Sequence, residues 1–187
     1  MELEESRLKF KFEEEIWLVV RYDGEGFYRK KLLSAIPRTL ASDFIGIYQE
    51  QEIVFFEIKN FRGYRREKSV KKRLNDDAEK LAQKIAKKVR DTLAGIIGAN
   101  RNTEGDDKFW EQALTILSNP KRNVTVIAWI EEDILPGRDE KNEKVKLSTR
   151  RSKLKQKLAW LTPRVYYHNK NHSPNYSGFS CEFIAGS

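Results

Sequence analysis

Two acidic side chains and one amine carry the chemistry that can be read from this sequence. Glu57 and Lys59 stand two apart in the run Glu57-Ile58-Lys59-Asn60-Phe61-Arg62-Gly63, and Asp43 stands near the start of the earlier run Ser42-Asp43-Phe44-Ile45-Gly46-Ile47. If both runs are strands, a period of two puts Glu57 and Lys59 on one face and Phe56 and Ile58 on the other. The Glu57 face also carries Ile53 and Phe55, so an apolar face turns charged at the strand end, where a charge needs pairing, water or a metal. A hairpin between the two runs would bring Asp43, at the start of one strand, beside the end of the next. Two carboxylates converging there make a hard-oxygen site for Mg²⁺ or Mn²⁺, and the Ile58 carbonyl is a further oxygen ligand. Such an ion orients a phosphate, acidifies a bound water and stabilises charge developing on oxygen, with Lys59 adding positive charge beside it.

The elements that must position these groups are legible from periodicity. Asp43 to Tyr48 and Ile53 to Lys59 read as strands, and the short polar Gln49 to Glu52 between them favours an antiparallel hairpin. A long helix follows over Asp76 to Ile97, with Ala78, Leu81, Ile85, Val89, Leu93 and Ile96 spaced by three or four. Asn75 or Asp76 can cap its start and Gly98 can end it. A shorter helix spans Phe109 to Leu117, and Val124 to Ile130 reads as a strand buried on both faces. Leu8, Phe10 and Phe12 alternate with charged residues as a half-buried strand, and Ile16 to Val20 continues it or begins another. Toward the C-terminus, Gly137 to Glu143 reads as a charged loop and Ser148 to Leu161 as a basic amphipathic helix. Arg164 to His168 and Gly178 to Ile184 can supply two edge strands. The expected architecture is an α/β domain over residues 1–187 with a mixed central β-sheet and its faces covered.

Asp43, the short hairpin and Glu57-x-Lys59 resemble the PD-(D/E)xK nuclease superfamily, with Ser42 where that family often has a proline. The resemblance spans about residues 40–130, through the hairpin, the long helix and the later buried strand in that order. It implies a restriction-endonuclease-like core, a mixed central sheet flanked by helices on both sides, and Mg²⁺- or Mn²⁺-dependent cleavage of phosphodiesters. Carried onto this chain, it assigns metal binding to Asp43 and Glu57 and assistance of hydrolysis to Lys59. A further acid on an early element is common in the superfamily, and Glu14, Asp23 and Glu25 are open for that role.

Arg62 follows the site closely enough to clamp a phosphate through two hydrogen bonds. Arg65, Arg66, Lys68, Lys71, Lys72 and Arg73 continue a basic run that suits a nucleic-acid backbone. A second basic region runs through Arg150, Arg151, Lys153, Lys155 and Lys157 and reads as a face turned away from the leucine stripe. Trp17, Trp110, Trp129 and Trp160 fall within apolar patterns and read as packing residues, as does Cys181. His168 and His172 lie in a loop-like stretch without a strong third metal ligand.

Composition agrees with a polyanionic partner. Among 187 residues, 36 Lys and Arg oppose 28 Asp and Glu, leaving a formal charge of +8. The apolar runs fall far short of the ~20 residues needed to span a bilayer, which argues against a membrane protein. An acidic start and a single cysteine point to a cytoplasmic, reducing compartment without disulfides. The expected function is a metal-dependent endonuclease or exonuclease acting on DNA, with a homodimer as one way to present two sites. The competing expectations are a noncatalytic nucleic-acid-binding or protein-interaction module on the same fold, and a structural protein contacting an acidic partner.

Overall fold

The computed structural model describes residues 1–63, 78–102, 108–133 and 140–184. The chain begins with strands β1 (Glu2–Glu5), β2 (Leu8–Phe12) and β3 (Trp17–Val20). A 3₁₀ turn (Tyr22–Gly24) and a π-helical segment (Tyr28–Leu32) then run into the single turn α1 (Leu33–Ala35). Strands β4 (Phe44–Tyr48) and β5 (Glu52–Asn60) precede α2 (Ala78–Asn102), α3 (Lys108–Ser118) and β6 (Asn123–Glu131). Helix α4 (Glu140–Leu158) and strands β7 (Val165–His168) and β8 (Phe179–Phe183) complete the order.

The strands form two sheets. The larger runs β3-β4-β5-β6-β7, with the β3–β4 and β4–β5 pairs antiparallel and the β5–β6 and β6–β7 pairs parallel. Both faces of its central strands are buried, which is why β5 and β6 read as nearly continuous apolar runs. One face packs Ile45, Ile47, Ile53, Phe55, Val126 and Ala128 against the helices.

The other face is covered by a second sheet, of order β1-β2-β8, rather than by the helices expected on both sides. Strict alternation in β2 makes this possible: Leu8, Phe10 and Phe12 are buried and pack on Phe44, Val54, Phe56, Ile58, Ile127 and Trp129. Phe179 at the start of β8 joins the same aromatic cluster, stacked near Phe56 at 5.9 Å. The layers are therefore helices, five-stranded sheet and three-stranded sheet. The run from Ile16 begins a separate strand in the larger sheet instead of continuing β2.

Helix α2 lays Ala82, Ile85, Val89, Ile96 and Ala99 on the sheet and runs past Gly98 to Asn102, so Gly98 does not end it. Gly95 and Gly98 serve instead as points of close approach. A Cβ on Gly95 would sit 1.7 Å from the Tyr22 hydroxyl oxygen, and one on Gly98 would sit 2.7 Å from Phe27 Cζ. Helix α4 starts at Glu140, inside the stretch expected to be a loop, because its run of Lys and Glu favours helix. Among the described residues no helix is long and apolar enough to cross a membrane.

Candidate active site

The β4–β5 hairpin brings the two carboxylates together. Its register pairs Phe44 with Phe56, which sets Asp43, just before β4, beside Glu57, just after Phe56. The Asp43 N–H donates to the Phe56 carbonyl at 3.0 Å, tying the residue before β4 to the same strand end. The Asp43 carboxylate then turns back, and its Oδ2 accepts the Ile58 N–H at 2.7 Å. Asp43 is 4% exposed and Glu57 2%. Two like charges side by side on a sheet repel, so this placement requires compensation.

Two ammonium groups provide it. Lys59 Nζ lies 2.7 Å from Glu57 Oε1 and 3.8 Å from Asp43 Oδ2, and it donates to the Ile58 carbonyl at 2.8 Å. Lys88, from the third turn of α2, lies 2.6 Å from Glu57 Oε2 and 2.9 Å from Asp43 Oδ1. The contacts to Glu57 are ion pairs without the alignment of good hydrogen bonds, whereas Lys88 donates a hydrogen bond to Asp43. Burial, and then the charge of Asp43, raise the Glu57 carboxyl above its ordinary value against the pull of the two lysines. Burial pulls the Lys88 ammonium down, but Glu57 and Asp43 outweigh it and the net shift is upward.

Lys88 is the residue that sequence reasoning missed. Its position is fixed by two contacts that anchor α2 beside the start of β4. Thr92, one turn further along α2, accepts the Ser42 N–H at 2.9 Å, and Asp91 accepts the Leu40 N–H at 2.9 Å. In the sequence Lys88 is one lysine among several on α2, and nothing local separates it from Lys84 or Lys87.

Of the three acids open for an early-element role, Asp23 lies near enough to Asp43 for their charges to interact, while its carboxylate pairs with Arg21 at 3.6 Å. The Tyr22 N–H donates to the Asp43 carbonyl at 3.1 Å and brings the 3₁₀ turn alongside. Burial first, and then the Asp43 charge, raise the Asp23 carboxyl. Glu14 instead pairs with the N-terminal ammonium at 2.9 Å.

Asp43, Glu57, the Ile58 carbonyl and Lys59 thus lie together at one strand end. Among the described residues no three His, Cys, Asp or Glu side chains gather tightly enough to form a metal cage. Two carboxylates and one backbone carbonyl at a single strand end nonetheless fit a hard cation that keeps most of its waters.

Arg62 does not join them. Alternation through the end of β5 turns Asn60, and Arg62 beyond it, toward the second sheet, where Asn60 donates to the Ser6 carbonyl at 2.9 Å. The Arg62 guanidinium sits over the Phe183 ring at 4.1 Å. Arg65, Arg66, Lys68, Lys71, Lys72 and Arg73 lie outside the described residues. Arg150 is 2% exposed and pairs with Glu132, so this member of the second basic region belongs to the interior. Trp17, Trp110 and Trp129 are core residues, but Trp160 is 60% exposed. His168 Nδ1 lies 2.8 Å from the His172 carbonyl, a contact that closes the loop. No protein-family model, curated protein or solved structure matches the chain.

Proposed function

We propose that this chain is a metal-dependent nuclease that hydrolyses phosphodiester bonds in DNA, on a restriction-endonuclease-like core in a reducing, cytoplasmic setting. The observation that carries the reading is the closeness of buried Asp43 and Glu57 at one strand end, with Lys59 2.7 Å from Glu57. The succession of antiparallel hairpin, long helix α2 and parallel β6 supports the same core.

Asp43, Glu57 and the Ile58 carbonyl would hold Mg²⁺ or Mn²⁺. When bound, that ion supplies Lewis-acid polarisation of the phosphate and a more acidic water. Lys59, 27% exposed at its side chain, is the group able to reach outward and donate to a phosphate oxygen while still touching the carboxylates. Lys88, 13% exposed, stays inside and bridges Asp43 and Glu57 from one nitrogen, at 2.9 and 2.6 Å. The apolar residues around the pair exclude water and strengthen each of these charge interactions.

Lys88 also supports a second reading. Its ammonium already bridges both carboxylates at 2.6 and 2.9 Å, so a closed ion quartet in a noncatalytic nucleic-acid-binding module is consistent with the same geometry. Cleavage of supercoiled DNA, linear DNA and structured RNA in Mg²⁺ or Mn²⁺ separates the two. The nuclease reading expects activity that Glu57→Gln and Lys59→Ala each reduce by at least ~100-fold with folding intact. Absence of cleavage together with absence of saturable metal binding would establish the module instead.

A further inference from the structure

Trp160 is the only tryptophan of the four that stands in solvent: it is 60% exposed, against 3% for Trp17, 2% for Trp110 and 0% for Trp129. Single exposed apolar residues are ordinary, but this one is held in place. Its indole N–H donates to the Lys157 carbonyl at 3.0 Å, in the last turn of α4. The ring's one polar atom is thereby satisfied locally, and what it presents outward is its aromatic surface.

That surface borders a groove of about 340 Å³ lined by Gln83, Ala86, Lys87, Arg90, Lys157 and Trp160. Three of the six lining residues are cations and none is an acid. Nearby acids offset part of this charge: Asp91 accepts the Arg90 guanidinium at 2.6 Å, and Glu79 lies 2.5 Å from Lys157 and 4.0 Å from Lys153. Lys84 and Lys87 are exposed, and no acid among the described residues pairs with them. An exposed aromatic ring tied to the helix end beside lysines that no described acid pairs with suits a chain of phosphates carrying unpaired bases.

The groove and the candidate active site share helix α2. Lys87 faces the groove while Lys88, about 100° further round, reaches Asp43 and Glu57. Lys84 falls between them in helical angle, so exposed positive charge continues from the groove toward the carboxylates.

We infer that the α2–α4 groove at Trp160 binds single-stranded nucleic acid, with a base stacked on the indole and flanking phosphates held by Lys84 and Lys87. The choice of nucleic acid as the anionic ligand rests on the proposed nuclease function. The choice of single strand rests on the ring, because a duplex keeps its base faces covered.

The test uses the full chain in EDTA, where no cleavage occurs, with a 12-mer of thymidylate and a 12-base-pair duplex as probes. The thymidylate should quench the solvent-exposed part of the tryptophan emission, and the duplex should leave it unchanged. Trp160→Ala should weaken thymidylate binding about 10-fold by anisotropy. Lys84→Gln with Lys87→Gln should lower the slope of log affinity against log salt by about 1.4. The proposal is overturned if Trp160→Ala changes affinity less than about two-fold, if the duplex quenches equally, or if emission shifts with protein concentration alone, which would identify a second copy as the occupant. A parallel cleavage assay keeps the two readings apart. Loss of activity in Glu57→Gln with unchanged thymidylate binding in Trp160→Ala removes the groove and leaves the active site, and the reverse pattern removes the active site and leaves the groove.

Discussion

Replacing Lys88 by methionine keeps most of the side-chain volume and removes one ammonium from between two buried carboxylates. Glu57 then retains Lys59 at 2.7 Å, but Asp43 retains only the Ile58 N–H at 2.7 Å and Lys59 at 3.8 Å. Removing one partner of a buried ion pair costs about 3–5 kcal/mol, and the remaining lysine places this case at the lower end, about 3 kcal/mol. For a domain of this size that lowers Tm by roughly 6–12 °C in EDTA. A divalent cation should restore most of it, since an ion at 100 times its Kd stabilises by about 2.7 kcal/mol. Wild type should gain less from the same ion, because its Lys88 nitrogen already sits 2.6 and 2.9 Å from the oxygens concerned. Thermal unfolding of both proteins in EDTA and in Mn²⁺, with calorimetric titration of Mn²⁺, measures every term. A variant within about 2 °C of wild type in EDTA, or equal stabilisation of both proteins by Mn²⁺, would refute the reasoning.

The remaining predictions concern pH and packing. Because burial and Asp43 raise Glu57 above 4.5, the folded chain keeps this proton to a higher pH than the unfolded chain does. Its contribution to metal-free stability is therefore full below 4.5 and lost as pH rises through the folded value. Mn²⁺ affinity runs the opposite way and should fall with acid about a midpoint above 4.5, and a calorimetric midpoint at or below 4.5 would contradict the raised carboxyl. Gly95→Ala drives a methyl to 1.7 Å from the Tyr22 oxygen and should destabilise by about 1–3 kcal/mol in denaturant unfolding, with Gly26→Ala, where nothing lies within 4 Å, as the control.

The hairpin and its charged end were legible because they depend on local rules. A period of two places Glu57 and Lys59 on one face, and a short polar connection sets the register that brings Asp43 beside Glu57. The same rule, carried two residues past the strand end, explains why Arg62 leaves the site: proximity in sequence suggested a clamp, while alternation sends its side chain to Phe183. The long helix was legible from its apolar spacing, but its end was not. Gly98 carries a stop signal that is overridden because the missing side chain admits the Phe27 ring.

What the sequence concealed is mostly non-local. The three-stranded sheet closes by pairing Phe12 with Phe179, and no local pattern announces a partner so far along the chain. Trp160 follows a leucine stripe and looks like core, yet it lies in the turn just beyond α4, where the helical period no longer decides which way a side chain points.

Lys88 shows the same limit at the site itself. Which lysine of α2 meets the carboxylates is set by how the helix is docked, through Thr92 and Asp91 onto the backbone before β4. The docking contacts and the carboxylates therefore depend on each other. Asp43 and Glu57 can lie together in the interior because α2 brings a cation to them, and α2 is held there in part by that cation. A divalent ion, on the proposed reading, would have to compete with this internal counterion. On the proposed reading, the contacts that hold α2 in place are thus the ones that would limit metal affinity, and the half-buried Lys59, rather than the more deeply buried Lys88, is the ammonium nearer the surface.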